Sequence, residues 1–180
     1  MSITITEALA EIKTIGKRID KKQEFVFSSL ARQEGARDPL EKDGGAEKVL
    51  AGERQSINDL QARVVDLRRG IQRANDATLV TVGASSKSIS EWLIWRRDVA
   101  PKRKEFLSKM STGLKNLREQ AKRQGSNVVT PGAAQAFTDI VVNIDEGTLA
   151  AEIELLEKTL GDLDGQLSLK NATVGIVEAV

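Results

Sequence analysis

The sequence predicts a mainly α-helical protein, an elongated antiparallel bundle or coiled coil of about four long helices with a small β element. Apolar residues recur at alternating steps of three and four in three helical stretches, which keeps a narrow seam on a partner helix. Aromatic residues make up only 3% of the 180 residues. A core of Leu, Ile, Val and Ala suits helix-on-helix packing, so both observations favour one elongated helical unit spanning residues 1–180.

The first helix is predicted to begin near Thr4 and to continue to about Gln33. Thr4 and Glu7 have the spacing of a capping box, in which both side chains satisfy free backbone N–H groups. The predicted seam consists of Ile5, Leu9, Ile12, Gly16, Ile19, Gln23, Val26 and Leu30. Residues 35–45 contain a proline and paired glycines and are predicted to form an exposed loop.

The second helix is predicted over residues 46–75. Its seam consists of Leu50, Glu53, Ile57, Leu60, Val64, Leu67, Ile71 and Ala74. Glu53, like Gly16 and Gln23 in the first helix, interrupts an otherwise apolar seam. Such residues are either tolerated imperfections or groups that fix register and partner choice. The β-branched residues 78–83 then predict a strand, and residues 84–87 a turn.

The third helix is predicted to start at Ser88, which forms a second capping-box pattern with Glu91, and to end before Gly125. Pro101 lies inside it, so we expect a kink or a break there. Its seam is the least regular and consists of Trp92, Val99, Phe106, Met110, Leu114, Leu117 and Ala121.

Residues 126–147 leave the helical pattern and are predicted to be a strand-containing insertion. The run 140–144 is a strand candidate, and we expect residues 128–144 to pair with residues 79–82 in a small sheet. The fourth helix is predicted over residues 148–170, with the seam Leu149, Ile153, Leu156, Leu160, Leu163 and Leu167. The tail that follows is apolar at Val174, Ile176, Val177 and Val180.

The composition argues against most classes of enzyme. The chain has no His, Cys or Tyr, which removes zinc fingers, thiol nucleophiles, Ser-His triads and most transition-metal sites. We therefore predict no catalytic residues, no cofactor and no metal. The net charge of +1 provides no global field that would recruit nucleic acid or a membrane. The sequence shows neither an apolar run of transmembrane length nor the pattern of a signal peptide.

Two segments are candidate interaction surfaces. The first is a basic and aromatic cluster consisting of Trp92, Trp95, Arg96, Arg97, Arg103 and Lys104, with Lys102 among them. It is either a surface for phosphates or an acidic partner, or a seam tryptophan beside a solvated helix face. The second is the strand candidate with Ile140, Val142 and Ile144, which either pairs within the chain or adds to a neighbouring subunit.

Several segments resemble, in order, members of the septicolysin-like helical family. They are the opening 3–10, the end of the second helix 71–75, the helix start and Arg-Asp pair within 88–98, and the closing 163–171. The chain departs from the family in its longer insertion, 126–147. The resemblance brings no catalytic motif, and the family name implies a membrane-active, cytolysin-like alternative. Similar helical proteins occur in phage and prophage gene sets, which implies a virion role by analogy.

We therefore expect a non-enzymatic structural or assembly protein, a homo-oligomer that also contacts other structural subunits, most simply in a bacteriophage virion. Such a protein would be assembled in the bacterial cytoplasm, and outside a virion it would be cytoplasmic. One alternative is a binding module that uses residues 92–104 on nucleic acid or another anionic surface. The other alternative is the membrane-active protein.

Overall fold

The computed structural model describes residues 3–133 and 138–176, and it confirms the mainly α-helical class. The helices are α1 Ile5–Ser28, α2 Ala46–Ala77, α3 Ile89–Ile94, α4 Ala100–Gln124 and α5 Glu146–Thr173. The strands are β1 Ile3–Thr4, β2 Leu79–Val82, β3 Ser85–Ser88, β4 Val128–Val129, β5 Ile140–Val141 and β6 Gly175–Ile176. A single 3-10 turn, Glu41–Asp43, lies in the predicted loop 35–45. Val177 and Val180 of the predicted apolar tail lie outside the described residues.

The chain divides into two compact units, whereas the sequence predicts one. Unit 1 comprises residues 1–78 and 168–180, and unit 2 comprises residues 79–167. The division follows from the chain's own connectivity: β6, after the last helix, pairs with β1 at the start of the first. Short strands at the two ends of the sequence thereby join the first two helices, while the middle of the chain builds its own cores.

Unit 1 is built on an antiparallel pair of helices, α1 and α2. Lys22 Nζ lies 2.6 Å from a carboxylate oxygen of Glu53, and Arg63 Nε lies 2.9 Å from one of Glu11. Residue numbers therefore rise along one helix as they fall along the other. Glu53, the charged residue in the seam of α2, thus forms an ion pair with α1. The core contains Ala8 and Ile176, which are completely buried, and the almost completely buried Ile5, Ile15 and Leu67.

The seam of α1 differs in part from the predicted one. Of the predicted residues, Ile5, Ile12, Gly16, Ile19, Gln23 and Val26 are buried or half-buried, while Leu9 and Leu30 are 43% and 62% exposed. Ala8 and Ile15 are buried in addition. Because each of them lies one position before a predicted residue, the 3-4 spacing cannot separate the two columns. The column of Leu9 continues into Gly16 and Gln23, which bring little apolar area, whereas the neighbouring column offers Ala8 and Ile15. The helix also ends at Ser28, short of the predicted Gln33.

The predicted pairing of residues 79–82 with 128–144 is wrong. Instead β2 pairs with β3 in an antiparallel hairpin that joins Val82 to Ser85 through a two-residue loop. Gly83 has φ 57°, and a glycine at the first loop position is what the type II′ hairpin turn requires. Residues 85–87, predicted to belong to a turn, are therefore in a strand. Local pairing wins because a short loop costs less entropy to close than a long one.

The insertion 126–147 contains its own pair of strands. Strands β4 and β5 are parallel, and only Ile140 and Val141 of the predicted run 140–144 are in strand conformation. Phe137, in the connection between them, lies outside the described residues. The Asp145 carboxylate then accepts hydrogen bonds from the backbone N–H groups of Gly147 and Thr148, which begins α5.

The seam of α5 is confirmed, because Leu149, Leu156, Leu163 and Leu167 are all buried. Within unit 2 its earlier part packs with Ala100 and Leu107 of α4. Its later part packs with Trp92, Val80 and Val82. Ion pairs join α4 to α5 in antiparallel order, Lys104 with Glu157 and Arg118 with Glu146.

Candidate interaction surface

Trp92 is the centre of the first predicted surface, and it is a core residue. Its side chain is 3% exposed, and its Nε1 donates a hydrogen bond of 2.9 Å to the carbonyl oxygen of Val80. Trp95 meets it edge to face with ring centroids 5.4 Å apart, and Lys87 Nζ lies 5.4 Å from the centroid of the Trp92 ring. Both tryptophans therefore anchor the β2–β3 hairpin and α3, so the seam interpretation holds for Trp92.

A π-helical turn, Trp95–Val99, lies between α3 and α4 (hereafter the π turn). The N–H of Ala100 donates to the carbonyl of Trp95, five residues back. Pro101 follows directly, at the start of α4, where its missing N–H is tolerated. The helix therefore neither stops at Pro101 nor continues as a regular α-helix. A π turn is one extra residue in an α-helix, so it rotates everything that follows.

The π turn changes which residues of the third predicted helix are buried. Trp92 and Ala100 are buried eight positions apart, where a regular heptad would use seven, and Leu107 follows after a further seven. Val99 and Phe106, both predicted seam residues, are instead 47% and 61% exposed. The prediction for these two residues was wrong because it continued the heptad spacing across the π turn. The extra residue in that turn shifts the buried positions that follow by one.

Three exposed apolar residues of this helix form what we call the outer stripe: Ile94, Val99 and Phe106. Ile94 is 52% exposed. It lies one π turn before Val99, and Phe106 lies two α-helical turns after it, so the three residues share one side of the helix. Sequence reasoning missed this stripe. The signal available in the sequence was the spacing of eight between Trp92 and Ala100, two apolar residues that flank a run of charged residues.

Four charged residues of the predicted basic cluster are paired with carboxylates. Arg96 Nη1 lies 3.0 Å from Asp164, and Arg97 Nη2 lies 2.9 Å from Asp98. The pairs of Arg103 and Lys104 with α5 complete the set. The Arg97 guanidinium, through its hydrogen bonds, holds the pKa of Asp98 below its usual range, and the charge of Lys102 acts in the same direction. The cluster is thus a mixed-charge surface with little net positive field.

The strand candidate is paired within the chain. The N–H of Ile140 donates to the carbonyl of Asn127 at 2.8 Å, and the N–H of Val142 donates to that of Val129 at 2.9 Å. Val142 is buried, while Ile144 is 40% exposed and lies beyond the strand. One edge of β5 is therefore already occupied by β4.

One surface groove of unit 2 is small. A groove of about 210 Å³ between α4 and α5 is lined by Leu107, Ser111, Lys115, Ile153 and other residues. Ligand pockets usually enclose about 300–1,000 Å³. Among residues 3–133 and 138–176, no group of three or more acidic side chains is arranged to hold a metal ion. Over the same residues, the helices lack the combination of length and apolarity that would cross a membrane.

Comparison with solved structures finds a conserved protein of unknown function from Corynebacterium diphtheriae that has a similar fold. The TM-score is 0.51 with 19% sequence identity, and the match covers 98% of this chain and 100% of that one. No protein-family model and no curated protein matches the chain significantly. A likeness at this level of identity concerns the fold alone.

Proposed function

We propose that this chain is a non-enzymatic structural or assembly protein, which associates with copies of itself and with other structural subunits. The observation that carries the proposal is the outer stripe. Exposed apolar side chains scattered singly are ordinary, but a row of them along one helix face is typical of a surface that another protein covers. Ion-paired charges beside the row would keep such a protein soluble before it assembles.

Within this class we propose a component of a bacteriophage virion, assembled in the bacterial cytoplasm. The support is the construction from helical seams and the resemblance to helical proteins of phage and prophage gene sets. Mass spectrometry of purified particles from a host carrying the gene tests it. We expect the chain at a fixed stoichiometry to the capsid or tail proteins, and its absence from the particles would contradict the virion assignment.

Self-association is tested by sedimentation of the purified chain over concentrations that reach the millimolar range. We expect the mean mass to rise with concentration. A strict monomer that also fails to bind structural subunits encoded beside it would contradict the assembly role itself.

We infer that nucleic acid is not the partner, because the guanidinium and ammonium groups of residues 96–104 are largely engaged by carboxylates of the same chain. Binding through released counterions would weaken steeply as salt rises. We expect no such binding, and equal behaviour from a variant with Arg96, Arg103 and Lys104 replaced by Ala. The outer stripe is also narrower than the broad apolar face of an interfacial helix, so we expect no leakage from liposomes.

A further inference from the structure

The outer stripe has the arrangement that a second copy of the same helix would complement. In an antiparallel pair related by a two-fold axis, a residue that lies a given distance before the axis faces the residue that lies the same distance after it in the other copy. Ile94 and Phe106 lie six residues on either side of Ala100, about 9 Å along the helix. An axis passing the stripe at that level would place Ile94 of each copy against Phe106 of the other, with the two Val99 side chains beside the axis.

The charges that flank the stripe fit the same axis. Asp98 and Lys102 lie two residues on either side of Ala100, and both are exposed. Lys102 Nζ forms no ion pair within residues 3–133 and 138–176. In the antiparallel arrangement each Asp98, whose carboxylate already accepts hydrogen bonds from Arg97 of its own copy, would also meet Lys102 of the other copy. Arg97 and Arg103, at the next matched positions, already hold carboxylates of their own copy.

We infer that a second copy of this chain docks on the outer stripe, antiparallel, with Ile94 against Phe106 and Asp98 against Lys102 across a two-fold axis beside Val99. The inference rests on the proposed assembly role and names the surface for it. Stable interfaces cover about 800 Å² on each partner. Three apolar side chains and two ion pairs cover less, so this contact would be weak alone and strengthened by repetition in an assembly.

Disulfide cross-linking tests the orientation, and the chain has no cysteine of its own. Val99→Cys should form a covalent dimer under mild oxidation, because the two residues meet at the axis. Ile94→Cys and Phe106→Cys should each form little dimer alone, since equivalent residues would lie about 18 Å apart, beyond the ~7 Å Cα separation that a disulfide spans. Mixed together, those two variants should cross-link to each other.

A parallel pairing would instead cross-link Ile94→Cys with itself, and that result would overturn the inference. The matched control is Phe27→Cys in α1, a residue that is likewise exposed, at 68%. Cross-linking of Phe27→Cys at a rate equal to that of Val99→Cys would mean random collision, and would also overturn it.

Charge exchange tests the contact without new covalent bonds. Asp98→Lys and Lys102→Asp should each weaken self-association about tenfold by placing like charges together, and the double variant should restore it. Phe106→Glu should weaken self-association at least tenfold, whereas Phe27→Glu should not. Circular dichroism of each variant confirms that it is folded. If the parent chain associates but none of these variants changes it, this surface is wrong and the assembly role stands. If the parent chain is monomeric throughout, the inference fails, and the assembly role fails with it if the chain also binds no other structural subunit.

Discussion

At the scale of single residues, Trp92 connects two kinds of secondary structure. It lies on the buried face of the third helix, and its indole N–H donates a hydrogen bond to a carbonyl of strand β2. Trp95, its neighbour in the π turn, packs against the same core but is only half-buried and donates no indole hydrogen bond within the described residues. The two tryptophans therefore differ in burial and in the indole hydrogen bond, which Trp92 makes and Trp95 does not make within the described residues.

Replacing Trp92 with Phe should destabilise the protein more than replacing Trp95 with Phe. The first change leaves the buried carbonyl of Val80 without its donor, which costs about 1–3 kcal/mol in addition to the lost packing. Urea unfolding followed by far-UV circular dichroism measures both losses without relying on tryptophan fluorescence. Equal losses for the two variants would show that the indole hydrogen bond contributes nothing.

The capping box of the third helix makes stability depend on pH. Hydrogen bonds from the backbone and hydroxyl of Ser88 lower the pKa of Glu91 from its ordinary 4.5. A lowered folded-state pKa stabilises the fold above the ordinary value, and this contribution disappears as the pH falls through the folded-state pKa. Thr4 lowers the pKa of Glu7 in the same way.

We therefore expect the free energy of unfolding to fall less for Glu91→Gln than for the parent chain when the pH is lowered from 6 to 3. Carboxyl groups ordinarily titrate at about pH 4, within this interval. Urea unfolding at both pH values measures the difference. Glu154→Gln is the control, because the Glu154 carboxylate is exposed and accepts no hydrogen bond within the described part of the chain. A Glu91→Gln variant as sensitive to acid as Glu154→Gln would contradict the role of the box.

At the scale of elements, the π turn determines which side of α4 is buried. The regular seams of α2 and α5 were predicted correctly from spacing alone, and so were both capping boxes and the end of α4 before Gly125, which has φ 69°. The third helix could not be predicted in this way. The single extra residue of the π turn can be recognised only from the folded structure, in which the buried faces before and after the turn lie on the same side of the helix.

Deleting Arg97 should remove the extra residue and leave both buried faces in place. The π turn would become a regular α-helical turn, and Trp92 and Ala100 would then be seven positions apart. We expect the free energy of unfolding to stay within about 1 kcal/mol, since the lost Arg97–Asp98 pair is exposed.

Deleting Lys109 is the matched control. It is also an exposed, ion-paired residue, but it lies in regular α-helix, so its deletion rotates Leu114 and Ala121 by about 100°. We expect a loss of more than about 2 kcal/mol from the apolar area that leaves the core. Chemical unfolding compares the two, and equal damage from both deletions would contradict the role assigned to the π turn.

At the scale of the whole molecule, the two units have separate cores. Leu67 belongs to that of unit 1 and Leu163 to one of those in unit 2, and both are at most 1% exposed. A large-to-small substitution should therefore act mainly on the unit that contains it.

We expect Leu67→Ala and Leu163→Ala each to cost about 2–5 kcal/mol. In hydrogen exchange, Leu67→Ala should speed exchange in α1 and α2 more than in β2, β3 and α3, and Leu163→Ala should do the reverse. Leu155→Ala, at a leucine that is 62% exposed, is the control and should change exchange little. Uniform acceleration by both core variants would mean that the two units unfold as one.

The sequence by itself determined the helical class, the approximate positions of the long helices, two capping boxes, the glycine that ends α4 and two of the seams. These features depend on residues within a few turns of one another, and helical spacing and capping chemistry record them directly. Tertiary structure decided the register in which α1 is buried, the local pairing of β2 with β3, the division into two units and the exposure of Val99 and Phe106. In each case the alternative arrangements have similar local energies. The arrangement that forms is the one that buries more apolar area against residues distant in the sequence.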